Sequence, residues 1–199
     1  MSRPNHRRAR LVTVAALIAG MGGSAALIWQ SSYSAFSATT VNPASNWSAG
    51  SVALSDDDSN TAMFSATNLK PGSTGTKCIA VTSTGSLAST VKLYGTNATS
   101  TNGLSASINL TITQGTGGGF GSCAGFTPSA ANASVYSGTL ASFASSATGF
   151  ASGLGTWAPT GSAPETRTFQ ITYTLDANTP NSAQGGTAGL GLTWEAQNS

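Results

Sequence analysis

The run Leu104-Ser105-Ala106-Ser107-Ile108-Asn109-Leu110-Thr111-Ile112-Thr113 alternates apolar and polar residues without a break. Successive side chains of a strand point to opposite faces, so this period of two predicts a half-buried β-strand. The same alternation recurs where Phe169, Ile171, Tyr173 and Leu175 interleave with Thr168, Gln170, Thr172 and Thr174, and again at Leu190, Leu192, Trp194 and Ala196. Shorter strands are read at Gly50 to Leu54, Met63 to Thr67, Thr76 to Ser83 and Leu87 to Tyr94.

Turn chemistry separates these strands. Lys70-Pro71-Gly72-Ser73 pairs the fixed φ of proline with a glycine that tolerates positive φ, and Thr84-Gly85-Ser86 marks a second reversal. The one helical candidate is the Ala-rich Leu140 to Thr148. Half-buried alternating strands with almost no helix predict two antiparallel sheets that cover each other's apolar faces. The expected fold is an all-β, jelly-roll-like antiparallel β-sandwich.

Ahead of this domain stands a different composition. Arg3, Arg7, Arg8 and Arg10 precede an uncharged run from Leu11 to Trp29, and small polar residues follow. That order is the basic, apolar and cleavable succession of an export signal, with an uncleaved membrane anchor as its alternative. Ser32 and Ser34 place small side chains three and one residues before Ala35, so cleavage is expected between Ser34 and Ala35. Residues 1–34 are thus read as a signal peptide and 35–199 as one domain.

Removing the leader leaves four cations against six carboxylates, a formal charge of −2. The basic pI therefore belongs to the leader, and the domain lacks the basic face that nucleic-acid binding needs. Charged residues make up 7% of the chain where about 25% is usual, so Ser, Thr, Asn and Gly must supply the polar surface. Such a surface suits assembly or wall association as well as a bland secreted domain. Two cysteines, Cys78 and Cys123, in an exported chain predict one disulfide.

The only histidine, His6, lies in the leader. Zinc-protease motifs and hydrolase triads that use an imidazole base therefore cannot be built from residues 35–199, and no cofactor is implied. Asp56, Asp57, Asp58, Glu165, Asp176 and Glu195 are the remaining acid/base candidates, and a carboxylate hydrolase is the weakest of three functional readings. Asp56-Asp57-Asp58-Ser59-Asn60 opens like a calcium loop, but Thr61 and Thr67 occupy the positions where an EF-hand needs Gly and Glu. A looser calcium site and a solvated turn both remain open there. The glycines from Gly115 to Gly125 lack the Lys-Ser/Thr pair of a phosphate loop, and this segment with Ser129 to Gly155 reads as a flexible connection. Trp194 falls on an apolar strand face and is assigned to the core, while Trp47 and Trp157 are left between core filling and a stacking platform.

Several segments resemble the TasA/camelysin family of exported proteins processed by a SipW-type signal peptidase. They are Ser32-Tyr33-Ser34-Ala35-Phe36-Ser37, Trp47 to Leu54, Asn68-Leu69-Lys70-Pro71-Gly72, Val81 to Leu87 and Leu192 to Gln197. The resemblance covers about half of the chain; Gly95 to Pro164 has no counterpart, and the cysteine pair departs from the pattern. The resemblance implies a jelly-roll subunit of extracellular matrix fibres, in which an N-terminal strand completes a neighbour's sheet. It also implies metalloprotease activity in some relatives, which a domain without histidine contradicts.

The expectation is therefore a secreted, non-enzymatic structural or matrix subunit at the cell surface or in biofilm, whose partners are copies of itself or other matrix and surface proteins. Signal peptidase acts on it during export, and membrane contact is confined to an uncleaved leader. The proposed donor strand is Ala35 to Val41, with Phe36, Ala38 and Thr40 on one face and Ala35 and Val41 among the residues on the other. The alternative is a monomeric cell-wall or carbohydrate-binding surface module.

Overall fold

A computed structural model describes residues 37–39 and 50–198 of the 199-residue chain. The expected leader, with its cleavage site at Ser34 and Ala35, lies outside the described residues. So do Trp47 and Phe36, Thr40 and Val41 of the expected donor strand.

Among the described residues, nine strands form two antiparallel sheets. The smaller has the order β1-β9-β4, from Ser37–Thr39 (β1), Ala188–Asn198 (β9) and Ser89–Ser100 (β4). The larger has the order β2-β3-β8-β5-β6, from Leu54–Asp56 (β2), Thr74–Ser83 (β3), Glu165–Leu175 (β8), Ile108–Thr116 (β5) and Thr127–Pro128 (β6), and Ser134–Thr139 (β7) also pairs with β5. The chain changes sheet after β1, after β3, after β4 and after β8, which gives the all-β, jelly-roll-like antiparallel sandwich expected from the alternation.

The core lies where the inward faces meet. Ile79 and Val81 of β3, Leu110 and Ile112 of β5, and Phe169 and Ile171 of β8 oppose Val91 and Leu93 of β4 and Trp194 and Ala196 of β9, all buried. Phe169 packs between two indoles, its ring centroid 5.2 Å from that of Trp194 and 6.5 Å from that of Trp157. Trp157, undecided in the sequence, is 3% exposed and belongs to this core.

The first half of the founding alternation is not strand. Leu104–Ser107 is a single helical turn (α1), and β5 begins only at Ile108. Asn102 and Gly103 both adopt positive φ (53° and 69°), and the Ser100 hydroxyl accepts from Ser105 N–H. This tight reversal winds the chain into a turn before it extends. The read strand at Met63 to Thr67 is likewise irregular, and that at Gly50 to Leu54 is displaced to Leu54–Asp56. Residues 51–53 still run beside the Thr84-Gly85-Ser86 reversal, joined by Thr84 N–H to the Ala53 carbonyl and Ser86 N–H to the Ser51 carbonyl. A side chain at Gly85 would meet that Ser51 carbonyl at 2.5 Å, so only glycine permits the approach.

The segment read as a flexible connection is structured. It holds β7 and the helix Leu140–Ser146 (α2), whose Thr139 hydroxyl caps it by accepting from Ser142 N–H and whose Phe143 is fully buried. Beyond α2, the carbonyls of Ala147, Leu154, Trp157 and Pro159 accept from Gly95, Leu93, Val91 and Ser89, closing the outer edge of β4.

Candidate functional site

β9 has two unlike edges. On one side it pairs with β4 from Ala188 to Asn198, with a bulge near Thr96 to Thr99. On the other it pairs with β1, where Ser37 lies opposite Gln197, Ala38 opposite Ala196 and Thr39 opposite Glu195. From Ala188 to Thr193, no strand among the described residues pairs with that second side.

Beside this stretch the two sheets part into a cleft of about 540 Å³. Leu190 and Leu192 of β9 form one wall, Ile108, Leu110 and Tyr173 the other, and Met63, Phe64 and Leu69 of the irregular segment its cover. The Phe64 and Tyr173 rings meet edge to face at 5.1 Å. Asp58, Asn60 and Thr61 give the cleft a polar rim. A strand edge that no described strand pairs, next to an apolar groove, has both parts of strand-addition recognition: main-chain hydrogen bonds and room for alternate side chains.

Of the expected donor strand, Ser37, Ala38 and Thr39 are described, and they pair within their own chain through β1. β1 has β9 as its sole strand neighbour among the described residues.

Among the carboxylates singled out as possible acids or bases, Asp57, Asp58, Asp176, Glu165 and Glu195 accept structural hydrogen bonds. Asp57 bridges two segments, with Oδ1 accepting from Ala80 N–H at 2.9 Å and Oδ2 from Phe120 N–H at 2.8 Å. It thereby ties the glycine-rich loop to β3 near the disulfide. Asp58 Oδ1 accepts from Asn60 N–H in a local turn, and Asp176 does the same for Asn178 N–H. Glu165 Oε1 accepts from the N–H and hydroxyl of Thr160, which hold its carboxyl below the usual range. Glu195 accepts from the Tyr94 hydroxyl and from Gln197 Nε2. Burial, followed by the charge of Asp58, raises Asp56. Among the described residues no group of three His, Cys, Asp or Glu converges to hold a metal ion.

Cys78 and Cys123 are joined as expected, with Cα atoms 5.3 Å apart, an ordinary disulfide span. Such a bond belongs to an oxidising compartment. No helix among the described residues is long and apolar enough to cross a membrane. No family model and no curated protein matches this chain.

The cleft was not legible in the sequence, because its cover depends on Met63 to Thr67 lying outside the sheets, and the one-sided edge of β9 rests on pairings distant in sequence. The signal available was weak: Met63 and Phe64 are adjacent apolar residues, which an alternating strand would place on opposite faces.

Proposed function

We propose that this chain is an exported, non-enzymatic structural subunit of an extracellular matrix, related to the TasA/camelysin proteins, that assembles by exchanging its N-terminal strand between copies. The supporting observation is the pairing of β1. Three residues at the N-terminal end of the domain have one neighbouring strand among the described residues, and β9 continues past them over an apolar cleft with an edge that no described strand pairs. Withdrawing β1 leaves the sheet partner β4 and the core in place, and the vacated edge accepts the same strand from another copy.

In this reading Phe36, Ala38 and Thr40 face the neighbour's groove and Phe36 is the anchor. The surface adds little opposition, because a chain with 7% charged residues has weak mutual repulsion. Export is by the N-terminal leader, cut between Ser34 and Ala35.

Electron microscopy of the protein beginning at Ala35 tests the proposal. Fibres are expected from the wild type, fewer from Phe36→Asp, which places a charge in an apolar groove, and none from a folded variant lacking residues 35–41. A wild type that stays monomeric at high concentration, or a deletion variant that still forms fibres, overturns it.

A further inference from the structure

The cleft between the sheets is a cavity as well as a groove along β9. Its lining includes Ile79, Ile171 and Trp194 of the core, so the opening extends inward between the two sheets. Its volume of about 540 Å³ falls within the roughly 300–1,000 Å³ of small-molecule sites, which are likewise mostly apolar with a few polar groups at set places. A second recess of about 260 Å³ adjoins it, with Leu140 and Gly189 common to both. That recess is lined by small side chains, Ala98, Ala141 and Ala144 among them, and carries no charge. Uncharged surface thus continues past Leu140, which suits an unbranched chain better than a compact ring system.

The charge around the cleft has one sign. Asp58 is the one charged residue among the described residues that line it, and none of the domain's cations, Lys70, Lys77, Lys92 and Arg167, does so. Asp56 and Asp57 precede Asp58 in sequence. Asp57 is committed to the Ala80 and Phe120 amides, while burial and the Asp58 charge raise Asp56, as expected where negative charge gathers without a cation beside it. An anionic head group at this rim would meet Asp58 with nothing to offset the repulsion, whereas a cationic one would be drawn to it. Phe64 and Tyr173, in contact at 5.1 Å, add aromatic surface to the lining, and aromatic faces also attract cations.

From this combination we propose that the cleft binds a single-chain cationic amphiphile, with its unbranched apolar chain between the sheets and its ammonium head at the Asp58 rim. Burial of the chain supplies the affinity, and Asp58 selects the head group. The inference does not depend on strand exchange, in which the same cleft receives a side chain of a second copy.

The test follows the methyl resonances of Ile108, Leu190 and Leu192, which line the cleft, by NMR in the protein beginning at Ala35 with its disulfide intact. Octyltrimethylammonium, octanol, octanoate and tetramethylammonium are titrated in turn, all kept free of micelles. Octyltrimethylammonium should shift these methyls saturably and octanol more weakly, and octanoate and tetramethylammonium should leave them in place. Asp58→Asn keeps the Oδ1 that accepts from Asn60 N–H, so the local turn survives. It should weaken octyltrimethylammonium about threefold and leave octanol unchanged. No saturable shift, octanoate binding as tightly as octyltrimethylammonium, or equal affinity in Asp58→Asn overturns the proposal. Shifts at these methyls that follow protein concentration and ignore every amphiphile assign the cleft to a second copy and overturn it as well.

Discussion

Tyr94 donates its hydroxyl proton to Glu195 Oε2 at 2.9 Å across β4 and β9, and both side chains are buried, at 9% and 8% exposure. The bond ties the two full-length strands of the smaller sheet together next to the residues that face β1. Burial first, and then the Glu195 hydrogen bond, pushes the Tyr94 hydroxyl up to about 12. Tyr94→Phe should cost about 1–3 kcal/mol, because it leaves a buried acceptor without its donor. An unfolded tyrosine ionises near 10 and the folded one resists to about 12. Stability is therefore present below pH 10 and lost as the pH rises through that window, more steeply in wild type than in Tyr94→Phe. Denaturant midpoints across alkaline pH check both statements.

The disulfide and Asp57 hold the glycine-rich loop by separate means. The Cys78 to Cys123 bond closes a separation of 45 residues, and replacing both cysteines by serine should cost about 4 kcal/mol on the chain-entropy estimate. Asp57→Ala should cost about 1–3 kcal/mol and speed amide exchange at Ala80 and Phe120, the two groups it accepts from, with the disulfide still formed. Unchanged exchange at both amides would remove Asp57 from this role.

Asp56 has the opposite sign from most carboxylates. Its folded pKa is raised, so the folded state holds the proton more tightly than the unfolded one, and the ionised group costs stability. The relative gain is present below the ordinary value of 3.8 and lost as the pH rises through the folded value. Asp56→Asn should therefore be more stable than wild type at pH 7, with the difference vanishing below pH 3.8, where both states of the wild type are already protonated. Thermal unfolding of the pair at neutral and acid pH gives the comparison.

The parts of the fold that the sequence made legible are those whose apolar residues fall on one face. β8 and β9 alternate strictly because their large apolar residues share the face that meets the core and polar residues take the other, and Lys70-Pro71-Gly72-Ser73 turns as its chemistry requires, with Ser73 N–H donating to the Lys70 carbonyl at 2.8 Å. Leu104 to Ser107 shows the limit of periodicity: four residues can alternate by composition, and the positive-φ pair ahead of them decided the conformation. Within the stretch from Ser134 to Pro159 the helix Leu140–Ser146 falls on the Ala-rich candidate, whereas β7 and the segment along the edge of β4 were hidden for another reason. Their Ser, Gly and Ala residues have little preference of their own, and their order comes from β5 and from β4. At the candidate site, the N-terminal segment was legible as a strand former, whereas its partner edge on β9 depends on contacts distant in sequence.

Exchange of β1 between copies is tested most directly by the register of Ser37 opposite Gln197. Ser37→Cys with Gln197→Cys places a thiol on each strand of the pair, and the native cysteines are already joined to each other. The doubly substituted protein is oxidised at high concentration and separated without reductant. A ladder of covalent multimers that collapses to monomer on reduction is the predicted result. A single intramolecular disulfide and a monomer band at every concentration would show that β1 stays in its own sheet and would contradict assembly by strand exchange.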